Sequence, residues 1–517
     1  MTTHELGEPT VGATGTSGSD DPSPPASLTA TAVRGIRLAG LGYATSQILN
    51  LLAYLVLVRL LTPRAFGLYA AGTVITGIGG LFAESGMLAA LIKREDRLDE
   101  AASTAFVSLA ISGVALTLLS LALSPLIGLA FHSGQVRDVT AVLSGWLFIR
   151  ALTIVPDALL QRGFSFLRRV IVDPLGTLAY AAAAIPLAAA GAGVWAMVGG
   201  AYASIIVQAI GAWIASRFRP RWRLMSVGMW RELSGFARPL VAGEILRRVM
   251  LQVDVFVLGR FTNAATLGQY RNGQMLAWQP SGMFGQVVAY VILPVFSRLS
   301  VVPARIEAAA RHAYWSAYAL VVPLSLCLLP LGVPIAVTVL GDRWRGAGHA
   351  LAALSGSLLG FMLMSISGEL MKAIGALGLQ LRIQAIGLAL TVVTVAPAGI
   401  EWGLVGVAIA VSVSACVTVL CAMVGIARRL DVPVRRLFDG APETLSASLA
   451  MIAAMMLFDR GARVLAHPEG LRVALLAAEI TIGAAVYAAV ISVDPRRRAA
   501  GMRALAALRM RAFNRAR

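Results

Sequence analysis

Arg59-Leu-Leu-Thr-Pro-Arg-Ala-Phe-Gly67-Leu-Tyr69-Ala-Ala-Gly72 is followed, 201 positions later, by Arg260-Phe-Thr-Asn-Ala-Ala-Thr-Leu-Gly268-Gln-Tyr270-Arg-Asn-Gly273. Arg, Gly, Tyr and Gly recur at the same spacing, and these are the less common residues of the two windows. Each window joins the end of one long apolar run to the start of the next, so the pair marks an internal repeat. Six apolar runs separate the two windows. An even number means that both halves enter a membrane from the same side, so the repeat is parallel and its axis lies along the membrane normal.

Composition supports a membrane setting. Of 517 residues, 58% are hydrophobic and 14% charged, with a mean hydropathy of +0.77. A soluble fold cannot bury that much apolar surface, which excludes a soluble globular enzyme and a disordered scaffold. A spanning helix takes about 20 apolar residues. Fourteen such spans are expected near 38–60, 66–91, 102–124, 139–160, 170–190, 193–215, 236–261, 267–294, 312–334, 347–371, 381–399, 403–426, 443–459 and 471–492. The fold class is therefore an all-α polytopic membrane protein with two parallel-repeat six-helix lobes around a central cavity and two further C-terminal helices. The expected division is a disordered tail 1–33, an N-lobe 34–215, a basic linker 216–235, a C-lobe 236–428, a helix pair 429–494 and a basic tail 495–517. Residues 1–33 are rich in Gly, Ser, Thr and Pro and cannot form a core. They lack the basic start and apolar run of a signal peptide.

The net charge of +18 reads as topology rather than as nucleic-acid binding. With the N-terminus in the cytoplasm, 30 of the 44 Lys and Arg residues fall on inner segments and 10 on outer ones, Arg59, Arg64, Arg260 and Arg271 among the latter. That bias places both termini in the cytoplasm and the chain in the cytoplasmic membrane. The tail from Arg496 to Arg517 interleaves eight arginines with apolar residues, a pattern suited to anionic lipid. The three cysteines and five scattered histidines have no disulfide or zinc spacing, so neither a metal nor another cofactor is expected.

Ionisable side chains at mid-membrane are costly, by roughly 2.5–3.5 kcal/mol on insertion scales, and so face the protein interior or water. The seventh span carries Arg238, Glu244, Arg247, Arg248, Gln252 and Asp254. On one helix, 244, 247, 248, 251 and 254 fall along one side, with Arg247 and Arg248 near mid-membrane. This pattern predicts a cationic patch lining a cavity that receives an anionic head group. The alternative is local neutralisation, Glu244 with Arg248 and Asp254 with a neighbouring lobe, which still leaves Arg247. The repeat offset maps the patch onto Tyr43, Ser46, Gln47 and Asn50 of the first span, so both lobes aim a polar stripe at one space. Arg150 and Asp157 share a face of the fourth span, whereas Glu84 lies nearer the cytoplasm. Glu84, Asp157 and Asp254 are candidates for ion coupling, and inter-helix bonding is the competing role.

The stretches Arg59–Tyr69, Leu81-Phe-Ala-Glu-Ser-Gly-Met87, Ala90-Leu-Ile-Lys-Arg94, Pro156-Asp-Ala-Leu-Leu-Gln-Arg-Gly-Phe-Ser-Phe166, Asp254-Val-Phe-Val-Leu-Gly-Arg260 and Leu293-Pro-Val-Phe-Ser-Arg-Leu299 resemble the Wzx-type polysaccharide exporters. These are lipid-linked oligosaccharide flippases of the multidrug/oligosaccharidyl-lipid/polysaccharide superfamily. The match covers spans one to eight; the later spans agree in topology only. Where that family shows an acidic-aromatic-glycine pattern, this chain has Glu84-Ser85-Gly86, without the aromatic. The resemblance implies a V-shaped pair of lobes that moves a polyprenyl-diphosphate-linked oligosaccharide across the membrane by alternating access. Arg247, Arg248 and Arg150 would hold the diphosphate, with Gln47, Asn50, Glu244 and Gln252 beside it, and Arg59 and Arg260 would stand at the outer mouth. The partners implied are that lipid-linked oligosaccharide, membrane lipids, and a polysaccharide polymerase with a chain-length protein; no nucleic acid is implied.

Two rivals remain. A drug or metabolite antiporter of the same superfamily calls for an acid-dominated cavity, whereas arginines match or outnumber acids in the central spans. A membrane-embedded polymerase or ligase calls for a catalytic group on a sizeable outer loop, and the expected outer loops are short.

Overall fold

The computed structural model describes residues 26–93, 96–162, 171–299, 303–463 and 472–492. Both expected tails lie largely or wholly outside this set. The first lobe holds α1 (Ala26–Leu60), α2 (Pro63–Lys93), α3 (Leu98–Ala130), α4 (Gly134–Arg162), α5 (Asp173–Ala189) and α6 (Val194–Ser216). The second holds α7 (Val227–Met250), α8 (Val253–Phe261), α9 (Ala264–Leu299), α10 (Pro303–Leu326), α11 (Leu328–Leu340), α12 (Arg345–Ala353), α13 (Ser355–Ala373) and α14 (Leu377–Leu430), before α15 (Ala441–Arg463) and α16 (Arg472–Ser492). No strand occurs among the described residues.

Each expected span falls on a helix or on a broken pair. Six helices among the described residues are long and apolar enough to cross a membrane, and eight when each bent pair counts as one span. The ninth span bends by 57° between α10 and α11, and the tenth by 49° between α12 and α13. The seventh breaks at a turn over residues 251 and 252, between α7 and α8. The polar stripe expected to run unbroken from position 244 to 254 is therefore interrupted, and Asp254 follows a different helical register from Arg248.

α14 is two spans in one continuous run, turning at Gly403 with φ 55° and ψ −133°. Between α5 and α6 the chain turns at Gly193 with φ 58° and ψ −125°. Both sit where a side chain would clash with the backbone, and glycine alone adopts that region at no steric cost. The two lobes thus reverse direction in the same way at equivalent places. Packing repeats as well: α2 lies on α4, and α9 on α12 and α13; α4 lies on α6, and α13 on α14; α1 lies on α5, and α8 on α14. The 201-residue repeat is a structural repeat.

The lobes meet where α2 crosses α9 near their starts, and also along α7, which packs on α2 and α3. A Cβ on Gly67 would come within 1.7 Å of the Ala264 carbonyl oxygen, and one on Gly268 within 1.8 Å of the Pro63 carbonyl oxygen. The two contacts are mates under the repeat, so the pseudo-twofold axis passes between these glycines. In lipid, where apolar surface gives no driving force between helices, such close backbone approach is what small residues supply. The same end of the molecule is tied further. Arg59 donates to the carbonyls of Thr338 and Val339 at 3.2 and 3.1 Å, and Trp344 donates to that of Val58 at 3.1 Å.

Candidate functional site

Directly beyond the glycine crossing, the faces of α2 and α9 stop matching. Ala70, Thr73 and Gly77 on α2 are the repeat mates of Arg271, Gln274 and Trp278 on α9. The small residues of α2 leave space, and the large polar ones of α9 border it. The result is a two-chambered cavity. One chamber, of about 600 Å³, lies between the lobes and is lined by Gln47, Asn50, Tyr54, Arg271, Trp278 and Gln279 among others. The second, of about 530 Å³, reaches into the first lobe and is lined by Trp146, Arg150, Ser204, Gln208 and Arg248 among others. Tyr69, Thr73 and Tyr180 line both chambers and join them.

Arg150 and Arg248, from different lobes and 98 positions apart in the chain, line the same chamber. Arg150 stands 3.6 Å from Asp157, one Nη to one Oδ, with the two side chains 16% and 6% exposed. That ion pair uses one edge of the guanidinium, which has five donors in all. Gln47 and Asn50 line the inter-lobe chamber, and Asn50 reaches Thr177 at 3.4 Å. Gln252, at the break between α7 and α8, lies against Gly77 of α2. The side chains of Glu84, Glu244 and Arg247 lie outside the described residues, although α2 and α7 carry those positions.

Asp254 does not face the cavity or the other lobe. It is 3% exposed and accepts hydrogen bonds from Tyr270 at 2.6 Å and from Gln274 at 2.5 Å, both on α9 of its own lobe. Gln274 in turn accepts from Arg271 at 2.6 Å. Tyr270 and Tyr69 are repeat mates with different duties: one anchors a buried carboxylate, the other lines the cavity. At the crossing end, Arg260 lies 2.7 Å from the His132 ring, and Arg59 holds the start of the second lobe's 338–344 segment.

Sequence reading misplaced Arg271. Counted with the outer segments, it stands two turns inside α9 and lines the inter-lobe chamber. The signal was present: positions 271, 274, 275, 278 and 282 follow helical spacing on one face, and all five line that chamber. No group of three or more His, Cys, Asp or Glu suited to a metal occurs among the described residues.

Residues 56–348 match the model of the family described as polysaccharide biosynthesis protein. The chain belongs to that family. Over 304 residues it is 22% identical to the succinoglycan biosynthesis transport protein ExoT of Rhizobium meliloti (strain 1021), a stretch that takes in 58% of this chain. The chain spans 60% of the length of that relative. Its fold superposes on a lipid II flippase MurJ in an inward closed conformation with a TM-score of 0.72, 16% identity, and 88% of this chain and 98% of that one covered. An inward-facing multidrug resistance MATE family transporter of the MOP superfamily gives 0.58 at 17% identity, covering 74% and 94%. The two-lobed helical fold is therefore shared with these two solved proteins, and the chain is a multi-pass membrane protein.

Proposed function

We propose that the chain is a flippase that translocates a polyprenyl-diphosphate-linked oligosaccharide, a polysaccharide repeat unit, by alternating access. The observation that carries this reading is the chamber lined by Arg150 and Arg248. A diphosphate cannot cross hydrocarbon unaided, and planar guanidinium forks hold phosphate oxygens by paired charge-assisted hydrogen bonds. Arg247 is assigned to the same patch, beside Glu244 and Gln252. Family membership and the names of the relatives above point the same way.

In this reading the chain works as a transporter rather than an enzyme. It sits in the cytoplasmic membrane with both termini inside. The lobes are 34–215 and 236–428, joined by the basic linker 216–235; 429–494 forms the accessory pair, and 1–33 and 495–517 are cytoplasmic tails. The α2–α9 crossing, with Arg59 and Arg260, then closes the outer mouth. Glu84, Asp157 and Asp254 stay candidates for ion coupling, with Asp157 and Asp254 each engaged within its own lobe. A polymerase and a chain-length protein would take the product. The antiporter rival wants an acid-lined cavity for cations, and both chambers described here are lined by arginine.

The test is export in cells carrying Arg248 variants. Loss of one fork-held phosphate contact corresponds to roughly tenfold to hundredfold weaker binding. Arg248→Ala is expected to collapse surface polysaccharide while lipid-linked oligosaccharide accumulates on the cytoplasmic leaflet, and Arg248→Lys to fall between. Normal export by Arg248→Ala together with Arg150→Ala would overturn the reading.

A further inference from the structure

Within the flippase reading, on which this step rests, the two chambers have different chemistry. The first-lobe chamber sets two guanidinium groups beside one carboxamide, Gln208, whereas the inter-lobe chamber is lined by five carboxamides: Asn272 and Gln274 are engaged with Tyr54, Arg271 and Asp254, and Gln47, Asn50 and Gln279 stand beside Tyr54 and Trp278. Among the described lining residues of the inter-lobe chamber there is no carboxylate, and it holds one guanidinium, Arg271, with one donor given to Gln274, against two in the first-lobe chamber. We infer that the inter-lobe chamber is the glycan subsite, and that it takes the uncharged, hydroxyl-rich sugars next to the diphosphate.

Three physical points support this. A carboxamide carries a donor pair and an acceptor in one plane, which suits neighbouring hydroxyls of a pyranose and offers nothing special to a phosphate. The indole N–H of Trp278 is buried and has no acceptor among the described residues, although buried indoles normally find one. That nitrogen is closed off from the chamber, so what Trp278 offers a sugar is its ring. The Trp278 ring is held edge-on by Phe361, with centroids 5.5 Å apart, which fixes a flat apolar surface beside the carboxamides, as stacking against the C–H face of a sugar requires. The volume of about 600 Å³ lies within the usual range for a small-ligand site. The chambers join at Tyr69 and Tyr180, so a diphosphate at Arg150 and Arg248 leads its first sugars past those two rings into the amide-lined space.

The test uses the full chain in lipid nanodiscs and two radiolabelled probes: a short polyprenyl diphosphate with no sugar, and the same lipid bearing a neutral disaccharide. Wild-type protein is expected to bind the glycosylated probe about tenfold more tightly, the worth of one or two well-placed hydrogen bonds. Gln279→Ala is expected to erase that gain and leave the bare diphosphate within about twofold; Gln279 is exposed, so the change does not threaten the fold. Arg248→Ala is expected to weaken both probes alike. Equal binding of the two probes by wild type, or equal weakening of both by Gln279→Ala, would overturn the subsite while leaving the flippase reading intact. Failure of wild type to bind either probe would overturn both.

Discussion

Arg150 and Asp157 lie two turns apart on α4, and their ion pair is almost shut off from solvent. Removing one member of a buried pair costs about 3–5 kcal/mol, because the survivor stays desolvated and unpaired, whereas replacing both with apolar residues is close to neutral. Stability and transport can therefore be separated at this position. Arg150→Met alone is expected to lower the thermal midpoint of the purified protein by several degrees. Adding Asp157→Leu should restore the midpoint without restoring export. Full recovery of export by the double variant would show that Arg150 only balances Asp157 and holds no substrate. Arg248 belongs to the other lobe and faces the same chamber, so its variants should disturb binding as well.

At the scale of elements, the α2–α9 crossing rests on Gly67 and Gly268. A methyl group at either would sit less than 2 Å from a carbonyl oxygen of the opposite helix, and backbone cannot yield as a side-chain tip can. Gly67→Ala is expected to push the helices apart, to abolish export and to lower the midpoint. Gly134→Ala, at the start of α4 with open space around it, should behave as wild type; wild-type export by Gly67→Ala would refute a close crossing. These two glycines were legible in the sequence as repeat mates, and so were the helices, because long apolar runs have few alternatives in lipid. Arg150 and Arg248 were legible too, since a charge in an apolar run has few destinations. The break between α7 and α8 was not, because no proline or glycine marks residues 251 and 252. Asp254 was therefore expected on the face of Arg248, whereas the restarted register turns it onto Tyr270 and Gln274. Arg271 was lost for a different reason: charge counting assigns it to the outer side although the expected span 267–294 already contains it, and in α9 it stands two turns from the start. The chambers arise from unequal mates, Ala70 against Arg271 and Gly77 against Trp278, and an alignment of the two windows does not by itself say which mates face each other.

For the whole molecule, alternating access requires the contacts at one end to release when the other end closes. The structure has the end with the glycine crossing shut. Cross-lobe ties add to that crossing: Arg59 to Thr338 and Val339, Trp344 to Val58, Arg343 to Leu61, Arg260 to His132, and Tyr54 to Asn272 at 2.6 Å. Each lost hydrogen bond of this kind changes an open–closed ratio about fivefold, at about 1 kcal/mol. Arg59→Ala combined with Trp344→Phe should therefore open that end roughly tenfold or more without touching either chamber. Ala70 provides the reporter, since it lines the inter-lobe chamber just behind the crossing and is 4% exposed. In a background with Cys327, Cys416 and Cys421 replaced by Ala, Ala70→Cys in intact cells should react slowly with a membrane-impermeant maleimide. The same reporter should react several-fold faster once Arg59 and Trp344 are changed, if that end faces outward. An unchanged rate in intact cells together with a raised rate in inverted vesicles would place the crossing at the cytoplasmic end and reverse the proposed orientation. An unchanged rate in both would mean that the remaining contacts, the crossing at Gly67 and Gly268 with the Tyr54–Asn272 and Arg260–His132 ties, hold that end without Arg59 and Trp344.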